Sequence, residues 1–541
     1  MSNSEGVEAV RHQSGARQPN AGLIRRVYRQ LFGNFGWPIL LREMRADFRK
    51  NRFLLTQSLC LCLLGMIVLI LVATAVDQPT QTPTQIGKRL FHMFFMGQCL
   101  VIFVIFPAFS STTFTEERAR STLDLLVATA LTPRDIVWGK FLSATFYCLL
   151  YVITSIPLMS IAFLFGGVSL EEVLVAYLLL IKATLLISML GVCVSSCMGT
   201  SLRSTLAMYS LVLLPHLLLY FSGRFDGVLE DSENSIPRQV LDSVGWGRPS
   251  VYMFTSVYFM GFVVVFAGLF IITTNRIRPP ADNKSTPLRV LTFLTAPFVL
   301  FTFVYYFAQS GADGGVTSIL SMVFVVCFFV SLIFPTEEAY VSRRSRRAFA
   351  LWTGLRYPLR VFAPGGFWGF VYAVGLTLLL CGGVYFGWLF RSESAAGGAG
   401  DDLMLASVFT LPLYFAALAS GGFFLGSCDF SPLYARLTVT FVFIITLLLP
   451  VIFALSDQQD AIWTLYFLSP ITLFWSLNPD PYDDSTIGYE LFGIPVIHVA
   501  KLVFAALAIV FLWGGIVHVR RSGYSLLSFS GSRGELDQGV S

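Results

Sequence analysis

Twelve apolar runs recur along this chain, at about 53–76, 90–113, 137–165, 173–197, 205–222, 252–274, 290–308, 317–335, 366–390, 403–427, 437–455 and 492–518. Each is long enough to cross the hydrocarbon core of a bilayer as a helix, which takes roughly 20 residues. A backbone in lipid has no water to bond to, so it must close its own hydrogen bonds, and isolated apolar runs do so as helices. Composition agrees. Charged residues make up 13% of the chain, about half of what a soluble domain uses to cover itself. The expected fold is an all-α polytopic membrane protein with about twelve transmembrane helices in two six-helix halves. A shorter apolar stretch, 462–477, is broken by Ser469-Pro470 and reads as a re-entrant or interfacial hairpin.

The charges alternate between loops. Arg42, Arg45, Arg49, Lys50 and Arg52 precede the first run; Arg118, Arg120, Arg134 and Lys140 follow the second. Arg203 follows the fourth run, Arg276, Arg278, Lys284 and Arg289 the sixth, and Arg343, Arg344, Arg346, Arg347, Arg356 and Arg360 the eighth. Arg520 and Arg521 close the twelfth. The intervening loops are acidic or mixed: Glu171 and Glu172, then 226–242, then Asp401 and Asp402, then 480–484. Basic loops stay on the cytoplasmic side of a membrane, so both termini are expected in the cytoplasm. The net charge of +5 is thereby spent on topology, and no nucleic-acid partner is expected.

The chain reads as a duplication. Each half has six runs and a long external segment between its fifth and sixth (about 223–251 and 456–491). After its second run each half carries Thr-Glu-Glu, as Thr115-Glu116-Glu117 and as Thr336-Glu337-Glu338. Halves of the same in–out sense form a parallel repeat about an axis along the membrane normal. The expected divisions are a mobile cytoplasmic leader (1–36), a first six-span unit (37–280), a second, diverged six-span unit (281–521) and a cytoplasmic tail (522–541). The first apolar run lies too far behind its arginine-rich leader to be a signal peptide.

Eight of the nine cysteines, Cys60, Cys62, Cys99, Cys148, Cys193, Cys197, Cys327 and Cys381, fall inside apolar runs, so no disulfide framework is expected. Cys193 and Cys197 have the i, i+4 spacing that two metal ligands could share. No His or carboxylate joins them locally, so they read as packing residues and no metal site is expected.

Two segments stand out beside the runs. Trp37 to Phe53 has Pro38 placed for a first helical turn. Leu41, Met44 and Phe48 recur on one face while Arg42, Arg45 and Arg49 point elsewhere. The pattern predicts an amphipathic helix lying in the membrane interface. In the loop after the second run, Leu123, Leu126, Val127 and Ala130 share a helical face, predicting a short helix over about 117–131. Thr132-Pro133-Arg134-Asp135 then starts the next helix, with Thr132 as N-cap, Pro133 at N1 and Asp135 completing a capping box. The apolar face of the short helix needs a partner, either lipid headgroups or another protein.

The stretch Thr113-Phe114-Thr115-Glu116-Glu117 through Lys140 resembles the cytoplasmic loop of ABC-transporter permeases of the type-two exporter family. Glu116, Glu117, Thr122, Leu123, Leu125, Leu126, Pro133, Ile136, Val137, Gly139 and Lys140 stand at matching positions, with Asp124 in place of the usual Glu. A looser likeness, mainly of architecture, extends over about 37–278. The resemblance implies a membrane subunit of the bacterial inner membrane, driven by a separate nucleotide-binding subunit that docks on the loop near 114–140. It assigns that docking to Glu116, Glu117, Thr122, Leu123, Leu126, Val127 and Pro133, and allows further permease or accessory envelope subunits. The second half departs from the pattern: after Glu338 comes Ala-Tyr-Val-Ser-Arg-Arg-Ser-Arg-Arg, and Pro358 and Pro364 interrupt it.

The chain has no G-x-x-x-x-G-K-[ST] loop, so it is expected to carry no cofactor, with ATP and Mg²⁺ bound on the partner subunit. Lys182, His216 and Lys501, with His498 one turn before Lys501, fall within apolar runs and are candidate intramembrane polar sites; snorkelling at the span ends would also account for them. No H-E-x-x-H, G-x-S-x-G or convergent His/Asp set marks an intramembrane transferase, and the chain is not expected to be an enzyme. A non-transporting membrane anchor coupled to an ATPase remains beside transport as a reading of the same sequence.

Overall fold

The computed structural model describes residues 37–48, 51–76, 82–129, 131–221, 237, 249–279, 282–310, 314–337, 361–389, 400–428, 431–454, 490–491 and 494–521. The chain divides into two compact units, Met1–Arg278 and Pro279–Ser541. The leader, the stretch 462–477, most of both long external segments, the arginine-rich part of the second basic loop and the tail lie outside the described residues.

The first unit contains α1 (Trp37–Phe48), α2 (Asn51–Val76), α3 (Pro83–Val104), α4 (Phe106–Ser110), α5 (Thr115–Ala119), α6 (Leu123–Val127), α7 (Pro133–Thr154), α8 (Ile156–Leu164), α9 (Leu170–Cys197), α10 (Ser201–Phe221) and α11 (Pro249–Ile277). Helix α9 is the hub, packing against α3, α4, α7, α10 and α11. The main core joins Leu64, Phe91, Phe94, Ile102, Tyr151 and Leu180. A smaller core joins Ile39, Phe114, Leu126, Ile136, Val137, Phe141, Met189 and Val192. Outward faces stay apolar, as with Leu59, Leu63, Met66 and Ile70 of α2, which suits a lipid solvent.

Two of the apolar runs are broken rather than continuous. The second run splits between α3 and α4 and the third between α7 and α8, with Pro107 and Pro157 just past the breaks. Proline has no N–H to donate and interrupts the helical ladder. At the first break the Tyr209 hydroxyl donates to the Val104 carbonyl at 2.6 Å, and at the second the Gln98 side chain donates to Ser155 Oγ at 2.9 Å. Close backbone approach fixes other contacts. A Cβ on Gly87 would lie 2.0 Å from the Gly166 carbonyl oxygen, so only glycine fits there.

The second unit contains α12 (Thr286–Ser310), α13 (Gly314–Ile333), α14 (Gly366–Leu389), α15 (Gly400–Ser427), α16 (Pro432–Ala454) and α17 (Val496–Arg521). Here α15 is the hub, packing against α13, α14, α16 and α17. Val330, Phe334, Tyr372, Leu376, Leu411 and Phe415 lie in its core. Two short strands, β1 (Glu490–Leu491) and β2 (Ile494–Pro495), pair antiparallel just before α17. This ladder is a local exception to the all-helical expectation.

All twelve apolar runs overlie helices. Among the described residues, seven helical segments are long and apolar enough to cross a membrane: Pro83–Ala119, Pro133–Leu164, Leu170–Cys197, Phe259–Ile277, Gly366–Phe386, Thr410–Ser427 and Lys501–Arg521. Shorter apolar helical stretches lie at Leu55–Met66, Thr286–Leu300, Val323–Ile333 and Pro432–Thr446. The chain is a multi-pass membrane protein.

Candidate functional site

The loop between the second and third runs is stitched to the ends of α9 and α10. Ser195 Oγ accepts the backbone N–H groups of Phe114 and Thr115 at 2.8 and 3.2 Å. Ser204 Oγ donates to the Ser111 carbonyl at 2.6 Å, and Ser201 Oγ donates to Thr115 Oγ1 at 3.0 Å. Arg118 donates to the Ser196 carbonyl at 2.6 Å and also to the Met198 carbonyl. The last carbonyls of a helix have no partner within it, and this guanidinium fills that need at the end of α9.

The predicted single helix over 117–131 is two helices. Helix α5 is capped at Arg120, after which Ser121 takes a left-handed conformation, φ 55°. Thr122 N–H bonds the Glu117 carbonyl and Ser121 N–H bonds the Arg118 carbonyl, both at 3.0 Å. This pair of bonds is the Schellman ending, here with serine where glycine is usual. The turn re-aims α6, and with it the apolar face. Leu126 is only 8% exposed and, with Leu123, packs into the small core against Ile136 and Met189. Leu125 is 69% exposed and Val127 is exposed beside it. The unpartnered apolar surface is therefore Leu125 and Val127, while Leu123 and Leu126 are partnered within the unit. Ala130 lies outside the described residues. Thr132, Pro133 and Asp135 form the capping box as expected, with Asp135 N–H to Thr132 Oγ1 at 3.3 Å and Thr132 N–H to Asp135 Oδ2 at 3.1 Å.

Beneath the loop sits a charged cluster. Lys140, on the second turn of α7, is buried with only 4% of its side chain exposed. Its ammonium pairs with Glu43 of α1 and, at 2.6 Å, with Glu117 of α5. Ser143 also donates to Glu43. Arg42 reaches Glu117 at 3.0 Å from the exposed side. Two carboxylates and two cations thus tie the amphipathic helix, the loop and α7 into one block. An exposed pair contributes little, but a buried one is costly to break, because it strands the remaining charge.

Helix α1 lies against α7 with Ile39 and Leu40 buried and Leu41 turned outward. Leu41 faces outward, as a membrane-facing side would, and Met44 is half-buried; the side chain of Phe48 lies outside the described residues. The protein, rather than lipid, takes the inner side of the helix. Glu43 belongs to that side, one turn beyond Ile39 and Leu40. A single carboxylate at i+3 and i+4 from a helix's buried residues was the available sequence signal for it. Lys140 stands at a position that matches the family pattern, which assigns it no role.

Trp138 and Phe141 of α7 pack against Phe266 and Phe270 of α11 in tilted and edge-on contacts, with ring centroids 5.1–6.1 Å apart. Lys182, near the middle of α9, places its ammonium 5.9 Å over the Phe262 ring, a cation–π arrangement. Lys501 is half-buried in the second turn of α17, in the second unit. The side chains of His216 and His498 lie outside the described residues.

The second unit has its own buried ion pair below its Thr-Glu-Glu. Arg289, fully buried, bonds Glu337 at 2.7 Å and the Val361, Ala363 and Gly365 carbonyls. The Gly365 N–H donates back to Glu337 at 3.1 Å. Burial pushes the Glu337 carboxyl above the usual carboxylate range, against the opposing pull of Arg289. Thr336 is fully buried and accepts from Arg436 of α16 at 3.1 Å, as Thr115 accepts from Ser201 of α10. Glu338 lies outside the described residues.

Residues 37–241 match the family described as ABC-2 family transporter protein. The match runs from α1 through α10 and includes the whole loop site. It supports an ABC transporter permease, a membrane component of transport, for this part of the chain. No curated protein and no solved structure matches the chain.

Proposed function

We propose that the chain is the membrane-spanning permease subunit of an ATP-driven exporter, energised by a separate nucleotide-binding subunit that docks on the loop near 114–140. The carrying observation is Leu125 and Val127, exposed on a five-residue helix whose base is locked by a buried ion pair. An exposed apolar knob on a rigid mount suits a groove on another protein. A push on that knob would pass through Glu117 and Lys140 into α7 and, through Ser195 and Arg118, into α9. In this reading Glu116, Thr122 and Pro133 border the docking surface, while Glu117, Leu123 and Leu126 hold it in place. ATP and Mg²⁺ bind on the partner.

The paired arrangement of Thr115 and Thr336, each receiving a bond from the helix of its unit's fifth apolar run, supports two six-span permease units in one chain. The alternation of basic loops supports twelve spans with both termini cytoplasmic, and the resemblance to the permease family implies a bacterial inner membrane. Rocking of the two units would then open the path outward.

Affinity purification of the solubilised chain from its native host tests the docking. A stoichiometric ATPase should accompany the parent and be lost in the Leu125→Asp, Val127→Asp chain with its size-exclusion profile unchanged. Retention of the ATPase by that variant would refute this docking surface. Stimulation of the complex's ATPase by candidate substrates separates an exporter from a non-transporting anchor.

A further inference from the structure

We infer that Lys182 and the aromatic face beside it form an intramembrane binding site for an anionic amphiphile, the ammonium taking a phosphate or carboxylate headgroup and the rings taking the apolar chain. Lys182 lies about 18 Å along α9 from Leu170 and about 22 Å from Cys197, at 1.5 Å per residue. A cation within the roughly 30 Å hydrocarbon core is costly, and such charges mark ligand and ion sites. The side chain does not run to a span end in search of water. Its ammonium sits 5.9 Å over the Phe262 ring, and Phe262 is itself about 20 Å along α11 from Pro249. The charge therefore stays at the depth of its own backbone rather than snorkelling.

The surface around it is a ladder of rings. Phe259, Phe262 and Phe266 follow one another along α11 with centroids 6.5 and 6.1 Å apart. Phe266 meets Trp138 and Phe141 of α7, and Trp138 meets Phe270. The ladder is open toward the start of both helices. Leu178, one turn before Lys182 on α9, and Phe259, one turn before Phe262 on α11, are each 65% exposed. Lys182 is half-buried at the edge of this apolar face.

Charge decides which amphiphile fits. The helices that meet here, α7, α9 and α11, carry carboxylates only at Asp135, Glu171 and Glu172, in the first turns of α7 and α9. A ring face covers one side of an ammonium that has three donors. An anionic headgroup adds charge complementarity that a neutral one lacks, while its chain lies along the rings. The inference does not rest on the transport reading, since bound mass reads the site alone.

Native mass spectrometry of the full chain in detergent, with phosphatidylglycerol and phosphatidylcholine of identical acyl chains in equal amounts, counts each lipid retained. The parent should hold phosphatidylglycerol about fivefold over phosphatidylcholine at its tightest step, the fold-change expected of one charge contact. Lys182→Gln should bring that ratio close to one, and Lys182→Met, which suits an apolar span, repeats the test. Lys182→Arg should keep the preference, as should Arg203→Gln, since the exposed Arg203 lies outside this site. Equal retention of the two lipids by the parent overturns the inference. So does a preference that survives both uncharged Lys182 variants or is lost equally in Arg203→Gln. Excess inorganic phosphate should leave the lipid bound, because it has no chain to meet the rings; complete displacement by phosphate would make the ligand a small anion and overturn the amphiphile class.

Discussion

Replacing Lys140 by methionine keeps the length of the side chain and removes its charge. The ammonium is nearly fully buried, and its partners Glu43 and Glu117 have only 16% and 12% of their side chains exposed. The change strands two carboxylates in a low-dielectric setting with one remaining cation, Arg42, which is 58% exposed and therefore screened. Breaking a buried pair from one side costs about 3–5 kcal/mol. For a unit of this size each kcal/mol moves the midpoint by roughly 2–4 °C, so the expected loss is about 6–20 °C. Size-exclusion thermostability of the solubilised chain reads it directly. Glu43→Gln alone should cost less, since its amide can still bond Ser143. The double variant Glu43→Gln, Lys140→Met should be less damaging than the sum of the singles, by about 0.5–3 kcal/mol of coupling. A Lys140→Met chain within 1 °C of the parent, or strict additivity in the double variant, would refute the claim that this cluster ties α1, the loop and α7 together.

Other outcomes follow from single positions. Leu126→Asp should destabilise the first unit by roughly 3 kcal/mol or more by burying an unpaired carboxylate, whereas Leu125→Asp should stay within about 0.5 kcal/mol; melting curves of the two variants that coincide would contradict the orientation of α6. Ser121→Gly should be tolerated or mildly stabilising and Ser121→Val should lose at least about 1 kcal/mol, because a β-branched residue resists φ 55°; thermal unfolding of the pair ranks them. Glu337 titrates above its ordinary value of 4.5, so the folded chain holds its proton more firmly than the unfolded one. Its contribution is full below pH ~4.5 and is lost as pH rises through the higher folded value. Glu337→Gln should therefore show a shallower fall in melting temperature between pH 5 and pH 7.5 than the parent, and an identical slope would count against the raised carboxyl.

The reading of this chain divides by the range of the interactions concerned. The twelve apolar runs were legible because burial in lipid is a property of bulk composition over about twenty residues. The start of α7 was legible because Thr132, Pro133 and Asp135 meet within one helical turn. The break at Ser121 was not, since nothing local announces a left-handed serine; the chain adopts it because Arg118 is pinned to the end of α9 and Leu126 must reach the core of Ile136 and Met189.

The same division separates the two charged clusters from their sequence. Glu43, Glu117 and Lys140 lie on three different elements, and the Lys140–Glu43 contact spans 97 positions. Arg289 and Glu337 are 48 positions apart. In sequence each of these residues is an ordinary loop or flank charge; the positive-inside pattern accounts for Lys140 and Arg289 and says nothing of the three carboxylates. Sequence by itself determined where helices form, how the loops are charged and which loop resembles a docking element, because those depend on local length, hydropathy and capping. Tertiary structure alone decided which carboxylate meets which cation and whether Leu125 or Leu126 faces outward. Those outcomes depend on how distant helices pack, and a rotation of one residue about a short helix turns a core side chain into a surface one.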